Sequence, residues 1–262
     1  MSHQARDPGI DQIFARPGKV CYGMGLGIML LDDVYPGFPG DLRNASAWGF
    51  PIQYEIASGV NCKNLVREAD KTPHIEPIVR AAKSLERMGV RAISAECGYF
   101  AWFQEIVANE VKIPVFMSSL LQVPFAQLLI GAKQSVALIV AMKNHLTERH
   151  LTNVGITLNS NYMIFGHQDE YNCAQFDQLW QDYARQDIPT CLYTEAEREF
   201  VGICSDIVKK NPLIGALVLE CSGAQPFARA VQRAVDLPVF SWGTLLDYAW
   251  SIVNHRDYYG HV

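Results

Sequence analysis

The chain has 262 residues, 49% of them hydrophobic and 19% charged, with a formal net charge of -5. That composition can bury a core in one large domain or two of about 100–150 residues each, and with no block of Lys and Arg it excludes a phosphate-binding stripe for nucleic acid. No run approaches the ~18 apolar residues of a membrane span, and the polar N-terminus, broken by Pro8 and Pro17, lacks the core of a signal peptide, so a cytoplasmic protein is expected.

Along the chain, short apolar runs alternate with amphipathic stretches. "YGMGLGIMLLDD" (22–33) predicts a strand with its loop. Its glycines follow G-x-G-x-G rather than G-x-G-x-x-G, and the proline-rich "VYPGFPGDL" behind it cannot start the helix that a dinucleotide site requires. That site is therefore excluded. Asp32, Asp33 and Tyr35 fall in this loop; Asp32 and Tyr35 are candidate substrate contacts, with a plain solvated loop as the open alternative. Helical spacing follows at 74–89 and a strand at 92–96. A second helix is predicted over 99–111 and strands over 113–116 and 135–142, the last running into Lys143 and Asn144. Helices over 195–211 and 223–235 then flank strands at 215–220 and 237–240, and a C-terminal helix covers about 243–254. Strands alternating with helices of this length imply βα units and parallel sheets, an α/β fold.

One unit is written twice. Residues 96–121 and 220–245 align at an offset of 124 with nine of 26 positions identical, among them Glu96-Cys97 against Glu220-Cys221. Phe103, Val107 and Val111 match Phe227, Val231 and Val235; spaced four apart, they mark one buried helix face. A repeat of this size implies two similar lobes. Any two strand-helix-strand units share apolar positions, but that does not explain two cysteines in one register.

The seven cysteines form no C-x-x-C pair and the seven histidines no H-E-x-x-H, so neither a zinc site nor a disulfide framework is expected. Cys97 and Cys221 each follow a buried strand and precede a helix. In a parallel sheet that is the ligand-binding carboxyl edge, and a helix N-terminus there is expected to lower the thiol pKa. A pair of such thiols suits proton transfer at a carbon next to a carboxylate: one removes a proton, the other returns one, and fixed backbone N–H groups hold the oxyanion. A Cys-His hydrolase using Cys221 with His255 or His145 is the competing enzyme reading; it leaves Cys97 without a role. Glu96 and Glu220 are expected to point to the other side of their strands as structural residues.

The segments "AISAECGYFAWFQ…IPVFMSSLLQ" and "ALVLECSGAQPFARAV…LPVFSWGTLLDY" resemble the two catalytic-cysteine segments of the aspartate/glutamate (hydantoin) racemase superfamily, and the loop over 30–59 resembles its algal dimethylsulfoniopropionate lyase branch. The resemblance implies two pseudo-symmetric flavodoxin-like lobes with the active site in the cleft between them. The N-terminal lobe would span 1–118, completed by the C-terminal segment 242–262, and the second lobe 119–241. It also implies no cofactor or metal, a small carboxylate-bearing substrate and a homo-oligomer. Cys97 and Cys221 become the acid/base pair; Gly98, Tyr99, Ser222 and Gly223 form carboxylate or oxyanion pockets; Lys143 and Asn144 sit in another substrate loop. Amino-acid racemases place Thr or Asn after each cysteine, where this chain has Gly98 and Ser222. The expected activity is a cofactor-independent racemase or epimerase. The alternatives are a lyase that follows the same proton abstraction with β-elimination and, third, a non-catalytic binding protein.

Overall fold

The computed structural model describes residues 14–180 and 187–258. The first half builds β1 (Leu26–Leu31), β2 (Ile52–Ala57), α1 (Cys62–Arg67), α2 (Ile75–Met88), β3 (Ala92–Ala95), α3 (Gln104–Glu110) and β4 (Val115–Phe116). The second builds α4 (Val123–Ile130), β5 (Ser135–Val140), α5 (Glu148–Thr152), β6 (Tyr162–Gly166), α6 (Ala174–Trp180), α7 (Tyr193–Lys210), β7 (Ile214–Leu219), α8 (Ala228–Val235) and β8 (Val239–Phe240), before the C-terminal α9 (Trp242–Val253).

Two four-stranded sheets result, ordered β2-β1-β3-β4 and β6-β5-β7-β8, and every pairing is parallel. The same order appears in both lobes because the repeated unit supplies β3 and β4 in one and β7 and β8 in the other. The central strands are apolar on both faces, as helices on each side of a parallel sheet require; all six residues of β7 are buried. The edge strands β2 and β6 are absent from the predicted elements. Their residues are mostly half-exposed, and β2 reads Ile-Gln-Tyr-Glu-Ile-Ala, so a search for buried apolar runs passes over them.

Helix α2 shows how the pattern becomes packing. Ile78, Ala81, Ala82 and Leu85 fall on one face and are buried, and the helix stops at Gly89 in the left-handed region (φ 91°). A Cβ there would stand 2.3 Å from the Cys21 carbonyl, so glycine is required both for the turn and for the close approach.

The helices predicted at 99–111 and 223–235 each open as six residues of 3-10 helix, Gly98–Phe103 and Ser222–Phe227, before α3 and α8 begin. Pro226, which lacks an amide hydrogen, lies in the second. In the first, Phe100 and Phe103 lie three apart, the spacing that 3-10 geometry stacks, and both are buried with ring centroids 6.3 Å apart.

The lobes touch through Ala101, which packs into the cluster of Leu138, Val140 and Val218. Ser119 Oγ donates to the Leu219 carbonyl at 2.7 Å. Helix α9 lies against the first sheet: Leu245, Leu246 and Ala249 share a core cluster with Leu26, Ile28 and Ala92. Arg91 Nε donates to the Val253 carbonyl at 2.6 Å, while Trp242 Nε1 donates to the Glu220 carbonyl at 2.7 Å. Among the described residues no helix is long and apolar enough to cross a membrane.

Candidate active site between the lobes

Each repeated unit delivers a cysteine to the carboxyl edge of its sheet, one residue beyond a glutamate that directly follows the strand. Glu96 N donates to the Met29 carbonyl at 2.9 Å and Glu220 N to the Ile139 carbonyl at 2.8 Å, so both chains leave the sheet at equivalent points. Cys97 and Cys221 then line a single cavity of about 40 Å³. That is room for a small ligand only.

Of the predicted substrate contacts, Tyr35 and Ser222 line this cavity with the two cysteines, and Asp32, Gly98, Tyr99, Lys143, Asn144 and Gly223 do not. Asp32 is exposed, and its Oδ2 accepts from the Gly59 amide at 2.8 Å. Lys143 pairs with Glu170 at 2.8 Å, and the Asn144 amide is taken by Asp169. Tyr99 is fully buried; its hydroxyl donates to the Met142 carbonyl and accepts from the Met142 amide, joining the lobes. The Tyr99 amide serves Cys97, and the Gly223 and Ala224 amides serve Cys221.

Those amides pull the thiol pKa values down, but burial is the larger effect, and both thiols end well above their ordinary value. The expected lowering at a helix start is therefore corrected: desolvation outweighs one amide donor at Cys97 and two at Cys221. Glu220 and Cys221 both add repulsion at Cys97, as Glu220 does at Cys221. Both shifts favour the neutral thiol over the thiolate.

The glutamates divide: Glu96 keeps the structural place expected of it, and Glu220 departs from that expectation. Both are fully buried, and each is anchored by the backbone at the end of the first strand of its sheet: Glu96 Oε2 accepts from the Leu31 amide at 2.9 Å, Glu220 Oε2 from the Ala141 amide at 3.1 Å. Glu96 is answered by Arg43, whose Nε and Nη2 stand 2.8 and 2.6 Å from Oε1. Glu220 instead lines the cavity. Burial raises both carboxyls to about 8, against the pull of the Leu31 amide on Glu96 and the Ala141 amide on Glu220.

Helix α1, missing from the predicted elements, adds Cys62, Lys63 and Arg67 to the lining. Its local signal is legible in retrospect. Asn61 and Asn64 form a reciprocal capping box, and Lys63 and Arg67 are four apart, on one face. Both are cations at the mouth of a site expected to take a carboxylate. Lys71, 3% exposed, holds the far end of this helix through the Asn64 and Val66 carbonyls, at 3.3 Å each, and the Glu68 carbonyl. Among the described residues no cluster of three or more His, Cys, Asp or Glu side chains is placed to hold a metal ion.

Two pseudo-symmetric parallel lobes with a cysteine from each in the cleft define a protein with the fold of the aspartate/glutamate racemase superfamily. Arylmalonate decarboxylase matches 87% of this chain and 92% of its own, with a TM-score of 0.55 and 15% identity. Allantoin racemase from Klebsiella pneumoniae matches 88% and 87%, with a TM-score of 0.56 and 13% identity. An aspartate racemase homologue from Pyrococcus horikoshii matches 87% and 98%, with a TM-score of 0.53 and 16% identity. No family model matches the sequence. In sequence the chain is similar to dimethylsulfoniopropionate lyases. Number 7 of Emiliania huxleyi is 28% identical over 228 residues, covering 84% of this chain and 64% of its own length. That of Durusdinium sp. clade D is 26% identical over 224 residues, covering 82% and 70%. The chain spans about two thirds of the length of these relatives.

Proposed function

We propose that the protein abstracts the proton α to a carboxylate with a cavity thiol and expels a leaving group from the β-carbon, acting on dimethylsulfoniopropionate or a related β-substituted propionate. The observation that carries the reading is the pair of thiols from equivalent positions in two lobes lining one small cavity. The sequence relatives favour elimination as the second step. In that reaction one thiolate takes the α-proton, the C–H electrons form the α–β double bond, and the β-carbon–sulfur bond breaks, leaving acrylate and dimethyl sulfide. Thiolate formation is uphill in this buried site, so it is coupled to substrate binding: Lys63 and Arg67 supply positive charge for the carboxylate, and the Tyr99, Gly223 and Ala224 amides hold charge on sulfur.

Racemisation keeps a place because both thiols are present at equivalent positions, as proton return to the opposite face requires. The test is incubation with dimethylsulfoniopropionate and other candidate carboxylates in deuterated water, followed by NMR. Acrylate with loss of the β-substituent supports elimination, and α-deuteration with inversion supports racemisation. Neither product, with binding retained, leaves a small-molecule binding protein. Cys221→Ser should abolish turnover, because a serine hydroxyl is too weak a base near neutral pH. Cys97→Ser should abolish racemisation in both directions, whereas an elimination needs only one base and survives in part.

A further inference from the structure

The two glutamates are related by the repeat, and so are their anchors. Residues 96 and 220 correspond at the offset of 124, and Leu31 and Ala141 each stand two residues beyond the carbonyl, of Met29 or Ile139, that accepts from the glutamate's own amide. The lobes part company at the second carboxyl oxygen. In the first, Arg43 occupies it. In the second, Oε1 of Glu220 is buried with no hydrogen-bond partner among the described residues, and the carboxyl lines the cavity beside Cys97 and Cys221. It lies over Gly98, in space that the side chain of any other residue at that position would enter. A carboxylate so placed would be desolvated beside two thiols, with one amide as its only donor. A carboxylic acid has a different need: its O–H requires an acceptor, and the cavity is where one can arrive.

From this geometry we infer that Glu220 stands in the site as a neutral acid and donates its Oε1 hydrogen to a carboxylate oxygen of the substrate, steadying the charge that builds there as the α-proton leaves. The inference rests on the proposed reaction and adds to it the group that receives the developing charge. Burial pushes Glu220 up to about 8, so the acid form prevails at neutral pH. A buried acid kept neutral in order to donate is an established way of holding an oxyanion. Neutrality also spares the thiols the repulsion that an ionised Glu220 imposes on both.

Glu220→Gln keeps the shape, the acceptor for Ala141 and a donor at the cavity, but has no proton to lose. Three measurements on the full chain decide the matter. The infrared difference between the native chain and Glu220→Gln should show the carbonyl stretch of a protonated carboxyl near pH 7 that fades as pH rises through about 8, the Glu96 carboxyl being common to both and cancelling. Calorimetric binding of acrylate should weaken by about tenfold or more between about pH 7 and pH 9 in the native chain, as a donor becomes a repelling charge, and much less in Glu220→Gln. Turnover should fall by about 100- to 1000-fold in Glu220→Leu and far less in Glu220→Gln. A missing infrared band, or acrylate binding with the same pH dependence in both proteins, overturns the inference. So does a folded Glu220→Gln as inactive as Glu220→Leu, which would make the residue a proton acceptor. The first two readouts need no turnover: if they hold while no carboxylate is converted, the proposed reaction fails and the donor assignment survives for a bound carboxylate.

Discussion

Glu220 of the second lobe lies against the α-carbon of Gly98 in the first. A Cβ at residue 98 would stand 2.1 Å from Glu220 Oε1 and 2.4 Å from its Cδ. The glycine that departs from the Thr or Asn of amino-acid racemases is therefore the space a buried carboxyl fills. The carboxyl cannot swing aside cheaply, because its other oxygen is held by the Ala141 amide and the residue is fully buried.

Gly98→Ala should therefore cost about 1–3 kcal/mol by overpacking and lower turnover by displacing the carboxyl from the cavity. Glu220→Ala in the same chain removes the clash, so a double-mutant cycle in urea should show coupling of about 0.5–3 kcal/mol. Additive costs would mean that the two residues do not meet.

Arg43 serves Glu96 with two nitrogens, donates Nη1 to the Asp33 carbonyl at 3.0 Å, and lays its guanidinium 3.3 Å over the Tyr35 ring. Arg43→Leu leaves the buried Glu96 carboxyl without its two guanidinium donors and should destabilise the fold by about 1–3 kcal/mol. Arg43→Lys should recover little, because a lysine has one nitrogen and no planar fork. Urea midpoints measure both, and Arg43→Leu with Glu96→Gln should regain part of the loss.

Lys71→Met should loosen α1 without emptying the core. The methionine fills the stem's volume, but the carbonyls of Asn64, Val66 and Glu68 lose their shared donor, at a cost of about 1–3 kcal/mol. Faster hydrogen exchange over residues 62–68, with a raised KM, is the expected signature. Unchanged exchange there would show that α1 holds itself.

Two buried histidines should each take a share of stability away as pH drops below about 6.5. His167 packs edge-on against Phe176 and Phe200, with centroids at 5.1 and 5.2 Å, and burial lowers it to about 3. His150 is lowered to about 4, burial again being the largest cause. Between those values and the unfolded value near 6.5 the unfolded chain holds more protons, so this contribution is whole above 6.5 and lost as pH falls toward 3. Glu96 and Glu220, raised to about 8, act in the opposite sense, their contribution being whole below the ordinary carboxylate value and lost as pH rises through about 8. Comparing His167→Leu with the native chain isolates one histidine: relative to the native one, its urea midpoint should rise between about pH 7.5 and pH 5.

The sequence by itself determined the parallel α/β class, the two-lobe repeat and the register of Cys97 and Cys221. These features depend on local burial: a strand covered on both faces is an apolar run, a covered helix is apolar every three or four residues, and a duplicated unit keeps both signals at one offset. Edge strands β2 and β6 escaped that test because one side of each meets water. The tertiary structure alone decided how far side chains reach between elements. It turned Glu220 into the cavity and onto Gly98, although its neighbour on the strand is the cysteine; it brought Cys62, Lys63 and Arg67 in on a short helix; and it spent Lys143 and Asn144 on Glu170 and Asp169. The direction of the thiol shift was decided there too. A helix start after a strand is visible in sequence and lowers a thiol's pKa; the depth of desolvation that raises it depends on how closely the second lobe covers the first.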